Sequence, residues 1–146
     1  MGNSTLYERD FYAWANEQAG LLRAGKLAQA DIANIIEEIE TLGRSEMREL
    51  VSRLRVLLLH LLKWQHQPNL QGASWRASIV VQRAEISEHM TESPSLTSRL
   101  PEAVTRAFRL ARSEAVLETG LPKNTFPTEC PWTYDQIMAE DFWPAG

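Results

Sequence analysis

The chain has 146 residues, of which 44% are apolar and 23% charged; this is the size and balance of one packed domain and excludes a disordered tail. A single cysteine, Cys130, excludes an internal disulfide framework and every four-cysteine zinc module, and the net charge of -4 argues against a globally basic nucleic-acid or membrane binder. Residues Met1 to Asp10 contain no apolar signal-peptide core, and the densest apolar run, Val56 to Leu62, is seven residues long, far short of the roughly 20 that span a bilayer. The expectation is a cytoplasmic protein with no membrane contact.

Helix signals follow one another along the chain. Asp10 is placed to cap a helix over Phe11 to Arg23, with Phe11, Trp14, Gln18, Leu21 and Leu22 on one side. Asp31 then caps the strongest element, in which Ile32, Ile35, Ile36, Ile39 and Leu42 start an apolar stripe. Met47, Leu50, Leu54, Leu57, Leu58 and Leu61 continue it as far as Trp64. Gly43 offers a break, but it follows Ile36 and Ile39 on the apolar side. The helix is therefore expected to run through it, with Gly43 buried and admitting a neighbouring helix. Pro68 and Gly72 end the element.

Ser74 reads as the cap of a third helix, Trp75 to about Met90, with Trp75, Ile79, Ile86 and Met90 inward. Ser93-Pro94 opens a fourth, and Pro101 predicts a short turn before its main run. There Leu100, Val104, Ala107, Phe108, Ala111 and Ala115 keep helical spacing. Gly120-Leu121-Pro122 is a helix stop. Thr133 to Gln136 fits a capping box inside a proline-punctuated arm, about residues 123–146, with Trp132, Phe142 and Trp143 as plugs. No strand pattern and no repeat occurs. The fold class is all-α: one domain, residues 1–146, a bundle of four principal helices with a long central helix and a packed C-terminal arm.

The segments LYERDFYAW (6–14), EEIETLG (37–43), SRLRVLLLHLLKWQHQP (52–68), SWRASI (74–79), SPSL (93–96), ETGLP (118–122), FPTECPW (126–132) and DFWP (141–144) together resemble the bacterial domain-of-unknown-function family numbered twenty-nine. The likeness runs over nearly the whole chain in order. It implies an almost wholly helical bacterial protein and brings no assigned activity. His89 and Met90 stand where leucines are expected, and His66 where an aromatic is usual.

Chemical motifs are few. No Glu-x-x-His pair occurs, and the three histidines, His60, His66 and His89, lack ligand spacing, so neither metal nor cofactor is expected. Glu37, Glu38 and Glu40 are the densest carboxylates. Glu40 before Arg44, and Glu49 before Arg53, are helix-stabilising pairs at i, i+4. His60 lies among leucines and is expected half or fully buried, bonded to a carbonyl or a carboxylate from a facing helix. Cys130 has no neighbouring base and reads as structural rather than nucleophilic. No phosphate loop or nucleophile elbow is present.

Charge is unevenly spread. Residues 1–43 carry three bases and seven acids, residues 44–84 seven and two, residues 85–146 five and ten. Arg44, Arg48, Arg55 and Lys63 fall along one outer stripe of the central helix. They either bind an anion or pair with the chain's own surplus acids. Three readings of function result. The first is a non-enzymatic helical interaction module, a homodimer or bound to an unknown protein partner. The second is an anion or nucleic-acid binder acting through Arg44, Arg48, Arg55 and Lys63. The third is an enzyme using Glu37, Glu40 and His60 as a buried polar site, although no catalytic residue is assigned by any motif.

Overall fold

Asp10, Pro94 and Gly120 each stand where the backbone begins or ends a helix. The computed structural model describes residues 2–145, with side chains from residue 6 onward. Met1 and Gly146, the two ends of the expected domain, lie outside the described residues. Among the described residues there are α1 (Gly2–Arg9), α2 (Phe11–Arg23), α3 (Ile32–His66), α4 (Ala73–Glu92), α5 (Leu100–Thr119) and α6 (Tyr134–Met138), and no strand. The fold is all-α, with four helices of 13, 35, 20 and 20 residues. A six-residue 3₁₀ stretch, Pro94–Arg99, supplies the turn that the two prolines predict. Gly120 adopts the left-handed φ of 71° that closes α5. No described helix is long and apolar enough to cross a membrane.

Length predicts one domain; the chain gathers into two compact units, Met1–Ser45 and Glu46–Gly146. In the first, the Asp10 carboxylate accepts from the Ala13 amide at 3.1 Å and starts α2. Trp14 and Gln18 are its buried residues. The Trp14 indole donates to Asp31 at 3.1 Å, and the Gln18 carbonyl accepts from the Asp31 amide at 2.7 Å. Asn34 donates to Asp31 at 2.8 Å. The hydrogen bond from Asn34, joined by that from Trp14, holds the Asp31 carboxyl below its usual range although burial opposes it. Tyr7 donates to Glu38, and this bond to a carboxylate pushes the Tyr7 phenol up to about 12. The Tyr7 ring meets Trp14 edge-on at 4.6 Å.

The second unit holds the apolar core. From α3 come Leu50, Val51, Leu54, Leu57, Leu58, Leu59, Leu61, Leu62 and Trp64; from α4, Ile79 and Ile86. The stripe Ala103, Ala107, Ala111 and Ala115 of α5, with Phe108 beside it, is buried as well. Small side chains there let backbones come close while the leucines fill the space between them. The C-terminal arm is pinned by Phe126, Ile137 and by Trp143, whose ring lies 4.8 Å from that of Trp64. Thr133 and Gln136 form the reciprocal cap that starts α6.

Two local expectations are corrected, and one helix is added. Helix α1 carries no signal strong enough to predict it. Helix α4 begins at Ala73 after Gly72, with no side-chain cap, so Ser74 sits inside its first turn. Gly43 lies within a continuous α3, but it is exposed, and nothing stands within 4 Å of the position a Cβ would take. The apolar period around Gly43 is genuine, yet the buried cluster on this helix begins only at Leu50.

Candidate functional site

The basic stripe does not survive as free charge. Arg55 pairs with Glu114, and Lys63 with Glu118 at 2.9 Å, both acids coming from α5. Lys63 also lies 4.9 Å over the Trp75 ring. These are the chain's own surplus acids answering its own bases. In the first unit Arg44 reaches Glu37 at 3.5 Å rather than the expected Glu40. Arg53 does pair with Glu49, at 3.1 Å. Arg48 alone of the stripe has no ion-pair partner among the described residues.

The Glu37, Glu40 and His60 grouping is also dispersed. Glu37 and Glu40 are exposed in the first unit, so neither is buried as that reading requires. His60 is half-buried in the second unit, its Nδ1 2.8 Å from the Val56 carbonyl. The partner is a carbonyl of its own helix, one turn back, and not a group on a facing helix as expected. Cys130 is half-buried, its thiol donating to the Trp132 carbonyl at 3.4 Å, and burial raises its pKa. A raised thiol is a poor nucleophile.

The buried polar groups lie on α4 instead. His89 is 4% exposed, with Nε2 2.9 Å from the Glu46 carbonyl and Nδ1 3.4 Å from the Glu49 carboxylate. Glu49 is held in turn by Arg53, which also approaches Glu85 at 3.8 Å. This network ties α3 to α4 and leaves the imidazole no access to a substrate. Arg83 is 5% exposed; its Nε donates to the Ile137 carbonyl at 2.8 Å and its Nη2 to the Phe142 carbonyl at 2.7 Å. Its Nη1 has no hydrogen-bond partner, and burial lowers its pKa from the usual guanidinium value. A groove of about 1010 Å³ runs beside it, lined by Val80, Ser87, Thr91, Tyr134, Met138 and Glu140 among others. The spacing Ile79, Arg83, Ile86, Met90 already places Arg83 inward, although a base is rarely buried.

What the first unit leaves open is larger. Phe11, Tyr12, Leu22, Leu27, Ile32, Ile36, Ile39 and Leu42 are all exposed, eight of the 13 large exposed apolar residues, although this unit is the shorter. Ile36 is 51% exposed and Ile39 62%. At 3.6 residues per turn, Ile32, Ile36, Ile39 and Gly43 lie within about 60° of one another. They form one exposed stripe along α3, with Glu40 and then Glu37 beyond it on one side and Ile35 and Leu42 on the other. No group of three or more His, Cys, Asp or Glu able to hold a metal occurs among the described residues.

No curated protein and no solved structure matches the chain. A family model does, the one described as domain of unknown function DUF29, over residues 6–143. Nearly every helix described above falls inside that span. The chain belongs to the DUF29 family.

Proposed function

We propose that this protein is a non-enzymatic helical interaction module that docks a partner helix on the bare face of α3 in its first unit. The observation that carries this reading is the exposed stripe of Ile32, Ile36 and Ile39, ending at the open Gly43. Scattered exposed apolar residues are ordinary, whereas a contiguous stripe at helical spacing marks a contact surface. Pairing of Arg55 with Glu114 and of Lys63 with Glu118 weighs against anion binding along the same helix.

The test is the double substitution Ile36→Asp with Ile39→Asp. A docking face open in the free chain tolerates it, with a stability loss near the ±0.5 kcal/mol usual for surface changes. Wild type should also bind a hydrophobic dye that the variant does not. A loss of several kcal/mol, with no dye binding by wild type, would show that the stripe is core and would end the proposal.

A further inference from the structure

We propose that α3 carries a hinge at Thr41–Ser45, a turn that opens and re-forms on its own while both units stay folded. The inference is independent of the docking reading above. Helix α3 is 35 residues long, and the boundary between the two units, at Ser45 and Glu46, falls inside it. In the first unit Asn34, Ile35, Glu38 and Thr41 are half-buried, at the spacing of one covered helix face. Ser45, one turn further on, continues that face and is exposed; so are Leu42, Gly43, Arg44 and Glu46. These five consecutive residues exceed one turn of 3.6, so solvent meets the helix there on every side. Burial resumes in part at Met47 and is complete at Leu50.

A helical turn without tertiary cover is held only by its own hydrogen bonds and by the preferences of its residues. Both are weak here. Glycine enters a helix about fivefold less readily than alanine, and no side chain or backbone atom within 4 Å of the Gly43 Cβ position makes up for it. The Thr41 hydroxyl donates to the Glu37 carbonyl at 2.8 Å, and the Ser45 hydroxyl to the Thr41 carbonyl at 3.0 Å. Each hydroxyl competes with a backbone amide for a carbonyl one turn back, an arrangement that weakens and bends helices. Against opening stands Arg44, whose Nη2 donates to the Thr41 hydroxyl at 3.0 Å and reaches the Glu37 carboxylate at 3.5 Å. Both contacts are exposed, and exposed pairs hold little. The other two long helices, α4 and α5, contain no glycine. The turn is thus a conformational device: whatever covers it stiffens α3, and whatever breaks it leaves two folded units.

The experiment is amide hydrogen exchange on the full chain. The amides of Ser45 to Arg48 have the carbonyls of Thr41 to Arg44 as their helical acceptors. They should be at least about tenfold less protected than those of Ile35 to Glu38 on one side and Leu54 to Leu58 on the other. Gly43→Ala meets open space, so it should raise protection of the turn about fivefold and leave both flanks as they are. Gly43→Pro blocks a helical turn outright and separates a hinge from a rod. At a hinge both flanks keep their protection, and circular dichroism loses no more than about one turn of helix. In a single cooperative helix the same change lowers the folding equilibrium about a hundredfold or more, and protection falls throughout α3. Protection at Ser45 to Arg48 equal to that of either flank overturns the proposal. So does a Gly43→Ala chain whose turn is no better protected, or a Gly43→Pro chain in which either unit unfolds.

Discussion

Helix α3 carries the same face twice and meets two fates. Eighteen residues, five full turns, separate Ile32, Ile36, Ile39 and Gly43 from Leu50, Leu54, Leu57 and Leu61. The second set is 0% exposed at every position; in the first, Ile36 is 51% and Ile39 62% exposed. Identical periodicity, on one continuous helix, is core in one unit and open surface in the other. Hydrophobic periodicity thus reports a face that can be covered, and other elements of the chain decide whether it is.

The sharpest way to break this comparison is to truncate one leucine of the covered stretch and one isoleucine of the open one. Leu58→Ala, in the covered stretch, should cost about 2–5 kcal/mol, measured by denaturant unfolding. A loss under about 0.5 kcal/mol would mean that the second unit's leucines are not its core. Next in size is the anchor of the C-terminal arm. Arg83→Met keeps the stem and removes both bonds to the Ile137 and Phe142 carbonyls, so about 1–3 kcal/mol should be lost. Hydrogen exchange should then rise in the arm first, and uniform exchange would assign Arg83 no special hold on it.

The units also differ in where acid should weaken them. Burial lowers the pKa of His66 from 6.5; its ring lies 4.9 Å from Phe126 and its Nε2 has no partner. A depressed value means that the folded state binds the proton less readily than the unfolded chain. Stability from this group is complete above about pH 6.5 and declines as pH falls through the folded value. His66→Phe should flatten the melting temperature between pH 7 and 5, and an unchanged slope would acquit His66. Asp31 is lowered from 3.8 by its hydrogen bonds, so its contribution to the first unit persists above that pH and is lost as pH falls through the folded value. Near-neutral acid should touch the second unit, stronger acid the first. Asp31→Asn should remove the second effect in exchange rates read within residues 10–34.

The smallest expected effect completes the comparison. Ile39→Ser, eighteen residues before Leu57 on the same face, should change stability by no more than about 0.5 kcal/mol in the free protein. Should it cost as much as Leu58→Ala, the two stretches of α3 would not differ in cover after all.

Much of the candidate site was legible in residue types and much was not. The Asp10 cap, the Gly120 stop and the Thr133 box all follow from local rules, because each is satisfied within about one turn of chain. The basic stripe of Arg44, Arg48, Arg55 and Lys63 was visible too. Its neutralisation was not, since Glu114 and Glu118 lie more than fifty residues from Arg55 and Lys63 in sequence. The burial of His89 and Arg83 was not visible for the same reason. Their partners, Glu46 and Glu49 for one and the arm's carbonyls for the other, are brought to them by packing.

Sequence by itself determined that the chain is all-helical, where most of its principal helices stop, and that the apolar period of α3 runs on past Gly43. These are short-range matters, settled by capping groups, proline geometry and the 3.6-residue period. Only the tertiary structure decided which half of the α3 stripe is covered, and which charges are already spoken for. Burial and ion pairing depend on what other segments arrive alongside, and a one-dimensional period carries the face of a helix but not its neighbours.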